Sequence, residues 1–164
     1  MAGWTEIDST TLSVAAASVT FSSGLSGYKF FRLTAYIVND ANAKQVYLRL
    51  NNDSGLNYSY QNVRANNTTV SGARATGQTQ LLVGVNNIDA NSGWSSTVLI
   101  SKPAAGVKGQ VVSQVGYDAP VSVGMQLIGG EWNNVADLIS RIDVIASSNN
   151  FAAGTSLTLE GLSF

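Results

Sequence analysis

The stretch Leu48-Arg49-Leu50-Asn51-Asn52-Asp53-Ser54-Gly55-Leu56-Asn57-Tyr58-Ser59-Tyr60 sets the grammar of this chain. A strand-like run stops in a polar turn and restarts as an aromatic pair. Val46, Leu48 and Leu50 alternate with Tyr47 and Arg49, the period of two that turns one set of side chains toward a core. Asn, Asp, Ser and Gly then supply the local hydrogen bonds and positive φ that a tight turn needs.

The same pattern spreads in both directions. In residues 28–38, Phe31, Leu33, Ala35 and Ile37 share one face, and Arg32, Thr34 and Tyr36 the other. Residues 79–85 form a short apolar run before Asn86-Asn87. Residues 95–102 carry Val98-Leu99-Ile100 and stop at Pro103. Residues 107–116 alternate moderately, and Val121, Val123, Met125 and Leu127 share a face. Ile142 and Val144 oppose Arg141 and Asp143, and Leu157 and Leu159 oppose Thr158 and Glu160. Residues 4–8 and 18–21 complete the set. About ten strands separated by turn residues predict an all-β, antiparallel, jelly-roll-like β-sandwich with little helix, as one domain over residues 1–164. One helical turn is expected at 133–138, with Asn134 as its cap. Residues 62–77 are polar and lack apolar periodicity, which predicts a long surface loop. The turns Asn52-Asp53-Ser54-Gly55 and Asn91-Ser92-Gly93 look alike without making a repeat.

Composition narrows the chemistry. With 164 residues the chain is long enough to bury a core without staples. Cys is absent, which excludes a disulfide framework, a thiolate zinc site and a cysteine nucleophile. His is absent too, removing the commonest general base near neutral pH and the commonest metal ligand. Charged residues make up 12% and the net charge is -1, so the surface is polar but nearly neutral and tolerates close contact with neighbours. Lys and Arg are scattered, which argues against a nucleic-acid partner. No apolar run approaches the ~20 residues of a membrane span. Met1-Ala2-Gly3-Trp4-Thr5-Glu6 does not read as a secretory signal. The Asn-x-Ser/Thr matches at Asn52, Asn57, Asn66 and Asn67 are expected by chance in so Asn-rich a chain.

Few residues point to reaction chemistry. A glycosidase needs two carboxylates about 5 to 9 Å apart; Glu131 beside Trp132 is the most suggestive acid, although a strand-end acid beside a core Trp reads as plainly. Ser26-Gly27-Tyr28-Lys29 has Ser-x-x-Lys spacing, but Gly27 leads into a strand that splays the pair. Gly106-Val107-Lys108-Gly109 lacks the spacing of a phosphate loop. Asn51, Asn52, Asp53 and Asn57 offer oxygens, but calcium takes about six to eight, several from carboxylates; an Asx turn accounts for them better. Trp94, Trp132, Tyr58 and Tyr60 are the candidate platform for a sugar ring. No catalytic residue, cofactor or metal is expected.

The segment 48–60 resembles a motif of tailed-bacteriophage virion structural proteins that runs Arg-Phe-Asn-Gly-Asp-x-Gly-x-Asn-Tyr. Arg49, Asn51, Asp53, Gly55, Asn57 and Tyr58 match it; Leu50 stands for Phe and Asn52 for Gly. The opening is similar as well, with Trp4 leading to Leu12, Ala15, Ala17, Ser18, Val19, Thr20 and Phe21. So is the close, Asn150-Phe151-Ala152-Ala153-Gly154-Thr155-Ser156-Leu157-Thr158-Leu159-Glu160-Gly161, where Glu160 replaces a Tyr. Trp132-Asn133 followed by residues 139–145 also looks like that family's penultimate strand. The resemblance implies a non-enzymatic β-sandwich on the outer surface of the phage particle. Because it begins at residue 4 with nothing in front, it favours a capsid decoration (cement) protein, a homotrimer bound to the major capsid protein or another virion protein. The alternative it implies is a tail or fibre-tip module that binds a receptor or glycan.

Overall fold

The computed structural model describes residues 3–40, 45–85, 93–119 and 122–163, with backbone only for Val85, Asp118, Ala119 and Ser122. These form β1 (Thr5–Thr11), β2 (Ser18–Phe21), β3 (Phe30–Val38), β4 (Gln45–Leu50), β5 (Tyr58–Asn66), β6 (Thr69–Gln78), β7 (Leu81–Val85), β8 (Gly93–Ser101), β9 (Gly109–Ala119), β10 (Ser122–Trp132), β11 (Ile142–Ala146) and β12 (Ser156–Leu162). The expected all-β sandwich is what the chain builds, with somewhat more strands. One sheet has eight strands in the order β1-β12-β3-β8-β9-β10-β5-β6, and the other four in the order β2-β11-β4-β7. Every strand pairing within the two sheets is antiparallel.

The core lies between the sheets, and the period of two explains who enters it. Phe31, Leu33, Ala35 and Ile37 of β3, Leu157 and Leu159 of β12, and Val98 and Ile100 of β8 face Val46, Leu48 and Leu50 of β4, Leu81 and Val83 of β7, and Ile142 and Val144 of β11; all are buried. Glycines beneath rings tighten the packing. A Cβ on Gly84 would sit 2.5 Å from the Trp94 ring, and one on Gly124 would sit 2.0 Å from Tyr117.

Two expectations need correction. Residues 62–77 are not a loop: they lie in the β5–β6 hairpin, paired from Asn66↔Thr69 to Tyr58↔Gln78, with Asn67 at φ 52° in the turn. That hairpin overhangs the smaller sheet, so most of its side chains meet water on both faces and no apolar alternation is required. Second, residues 133–138 form no helical turn. Asn134 does cap, its Oδ1 accepting from the Ala136 and Asp137 N–H groups at 2.9 and 3.1 Å, but the chain continues irregularly. Val123, Met125 and Leu127 share a face as expected, and that face is the outer one, with Val123 78% and Met125 62% exposed. Val121, Asn86-Asn87 and Asn91-Ser92 lie outside the described residues.

Candidate functional site

Asn51 and Asn52 both adopt φ 54°, turning the chain sharply as it leaves β4 in one sheet for β5 in the other. Asn is the non-Gly residue that tolerates this region best. Asn51 then organises the neighbouring segment: its Oδ1 accepts from the N–H groups of Ser140 and Arg141, and its Nδ2 donates to the Leu138 carbonyl at 2.7 Å. The Asp53 carboxylate accepts from the Gly55 N–H, from Asn57 Nδ2 and from the indole N–H of Trp132. A Cβ on Gly55 would lie 2.9 Å from Asn57 Nδ2 and so crowd the amide that donates to Asp53. The Tyr58 hydroxyl, deep in the core, accepts from the Leu50 N–H at 3.0 Å and donates to the Leu50 carbonyl at 3.2 Å. This stretch is a corner that ties the two sheets. The acid oxygens and the Asn51 amide group are spent inside it, so it is not a calcium cradle.

The aromatic platform is also corrected. Tyr58, Trp94 and Trp132 are buried, and Tyr60 packs partly against the core. No open ring face remains among the three buried side chains for a sugar. Burial pushes the Tyr58 and Tyr60 hydroxyls up from the usual phenol range. Trp132 also stands 5.6 Å from the Lys102 ammonium, which is buried, bonded to the Val107 and Asn134 carbonyls, and lowered from the ordinary lysine range by desolvation.

Three of the acids are committed to basic partners. Glu131 pairs with Lys108 at 3.1 Å. Asp143, buried, takes Arg141 and the Thr20 hydroxyl. Glu160 takes Arg32 in a two-pronged pair at 2.5 and 2.7 Å, and that hydrogen bonding holds its carboxyl below the usual range. Ser26 and Lys29 lie in a turn and not on a helix. Among the described residues no three or more of His, Cys, Asp and Glu gather where they would hold a metal.

What remains is the outer face of the eight-stranded sheet. The ladders place its side chains in rows running across the strands. One row passes through Tyr36, Ser95, Gly116, Met125, Ala65 and Val70. The next passes through Thr34, Thr97, Gln114, Leu127, Val63 and Gly72, and a third through Arg32, Leu99, Val112, Gly129, Gln61 and Arg74. The first two rows flank a hollow of about 460 Å³ lined by hydroxyls, amides, Met125 and Leu127. Toward β6 the rows turn aliphatic: Val63, Val70, Val123, Met125 and Leu127 are all exposed. At the opposite side Trp4, 36% exposed, lies against the Arg32 guanidinium 4.8 Å from its ring centre. Sequence reading took Trp4 as the start of a strand and as the opening of the resemblance, not as a candidate binding residue. Its one available signal was position, ahead of β1 and outside any alternating run.

No protein-family model matches the chain, and none of the curated proteins matches it. Among solved structures it is similar to a galectin of Caenorhabditis elegans, LEC-6, at 11% identity over 95% of this chain and 96% of that one, with a TM-score of 0.32. A likeness at that level carries no weight here, and the sandwich rests on its own strand order.

Proposed function

We propose that this chain is a non-enzymatic structural protein of a tailed-phage particle, a decoration protein that assembles as a trimer on the outer capsid and braces the major capsid protein. The observation that carries this reading is the aliphatic field of Val63, Val70, Val123, Met125 and Leu127 on a rigid sheet beside an open strand edge. Exposed apolar patches of this kind mark docking surfaces. Covering each such side chain contributes on the order of 1 kcal/mol, so several capsid contacts must break together before the shell ruptures.

The two edges of the large sheet support the same reading. β1 carries Glu6 and Asp8 and a register shift between them, devices that blunt an edge. β6 runs for ten residues without proline and with Arg74 as its single charge. Its outer N–H and C=O groups are available to a neighbouring subunit. The resemblance in residues 4–21, 48–60 and 132–161 adds the virion setting. Sedimentation of the purified protein with undecorated capsids tests the proposal: it co-sediments with capsids if the reading holds, and binding to host cells but not to capsids overturns it.

A further inference from the structure

We propose that a trough across the outer face of the large sheet, starting at Trp4, is a binding site for a neutral oligosaccharide. Two hollows form it. One, about 150 Å³, lies among Trp4, Phe30, Leu99, Val112 and Gln110. The other, about 440 Å³, lies among Gln110, Val112, Gly129, Gln61, Arg74 and Glu131. They share Gln110 and Val112 and so are continuous. From β3 to β6 the trough crosses strands spaced ~4.8 Å apart, a run of roughly 24 Å, which suits a chain of sugar rings better than a single small molecule.

Its chemistry is that of carbohydrate recognition. A partly exposed indole at one end offers an apolar ring surface with a polar handle. Arg32 and Glu160 are locked to each other in plane beside it. Their remaining donor and acceptor positions are therefore fixed in direction, as adjacent ring hydroxyls require. Gln110 and Gln61 add amides that both donate and accept. Arg32 is offset by Glu160 and Lys108 by Glu131, which leaves Arg74, among the described residues, as the single lining cation without a paired carboxylate, too little charge to hold a phosphorylated chain along the trough. The backbone of these inner strands is consumed by the ladders on both sides, so a peptide has no main chain to add to on this face.

Gly129 supplies the independent observation. Its neighbour Gly130 is needed, because a Cβ there would lie 2.6 Å from Leu81 Cδ1; a Cβ on Gly129 would meet no heavy atom within 4 Å. Glycine inside a strand costs about 0.5–1 kcal/mol relative to alanine and marks a place where something approaches the backbone. Packing gives no reason for it here, and its missing side chain is what keeps the trough floor open.

The site does not depend on the virion reading, and its test is separate from capsid sedimentation. Isotope-labelled protein is titrated with maltohexaose, cellohexaose and chitohexaose while backbone amide signals are followed. At least one oligosaccharide is expected to shift the signals of Leu99, Gln110, Val112 and Gly129 together. Trp4→Ala and Gly129→Val are each expected to weaken that binding about tenfold or more, with Gly129→Val leaving the thermal midpoint as high or higher, because its side chain enters empty space and Val suits a strand better than Gly. The proposal is overturned if none of the three sugars moves those amides, or if binding survives both substitutions.

Discussion

The Trp132 indole N–H donates to Asp53 Oδ2 at 2.7 Å, joining the last residue of β10 to the turn that follows β4. Trp132 is wholly buried, so this carboxylate is the partner that makes its burial affordable in polar terms. Burial opposes the Asp53 charge, but the Trp132, Gly55 and Asn57 donors, aided by Arg49, outweigh it and hold the carboxyl below its ordinary range. A depressed folded-state value means the stabilisation is present above the unfolded carboxyl's range and is lost as pH falls through the folded one. Asp53→Asn replaces an acceptor oxygen with a donor facing other donors. It is expected to lower stability by about 1–3 kcal/mol at neutral pH. Urea unfolding at several pH values checks this, and the gap between the two proteins should close below about pH 4.

Tyr58→Phe isolates the second tie of the same corner. The ring stays, but the Leu50 N–H and carbonyl lose their buried partner. A loss of about 1–3 kcal/mol is expected, read as a lower urea midpoint at unchanged slope. The hydroxyl is pushed up chiefly by burial. Its contribution is therefore complete below the ordinary phenol range and lost as pH rises through the folded value. The difference between wild type and Tyr58→Phe should stay flat from neutral pH to about pH 9.

Asn51 and Asn52 share one backbone conformation and differ in what their side chains do. Asn52 is exposed, so Asn52→Gly keeps the turn and should change stability by less than about 0.5 kcal/mol, whereas Asn52→Val places a branched side chain at positive φ and should cost about 1–2 kcal/mol. Asn51→Gly keeps the conformation but removes the bonds to Leu138, Ser140 and Arg141. It is expected to cost more than Asn52→Gly, by about 1–3 kcal/mol. Thermal midpoints of the three variants rank them; equal midpoints for the two glycine variants would deny Asn51 its organising role.

How far the sequence carried the fold depends on whether a strand has one wet face. β3 and β4 pack one face on the core, so Phe31 to Ile37 and Val46 to Leu50 alternate cleanly and were legible. β5 and β6 extend beyond the smaller sheet, so alternation had no physical cause and the hairpin read as a loop. In β10 the core positions Gly124 and Gly130 are small because Tyr117 and Leu81 occupy their space. The more apolar row of that strand is consequently the solvent row. The corner's acid and aromatics were visible as a motif, but not that Asp53 and Trp132, far apart in the chain, satisfy each other. That pairing exists only once β10 lies beside β5. Trp4 was read as a strand residue, and its exposure was not legible because that is set by what folds beneath it, here Arg32.

The solvent row of β10 gives the sharpest separation of stability from docking. Met125 and Leu127 contribute little to the core, since both are exposed on a face the fold leaves uncovered. Met125→Gln with Leu127→Thr should therefore leave the unfolding free energy within about 0.5 kcal/mol per site; Thr suits the strand at Leu127. If capsid docking buries this row, the same pair of changes removes on the order of 2 kcal/mol per subunit from the contact, a loss of roughly thirtyfold in affinity. Co-sedimentation at graded protein concentration measures the shift. Unchanged capsid binding by the stable double variant would place the contact elsewhere on the molecule and leave the open β6 edge as the surface to alter next.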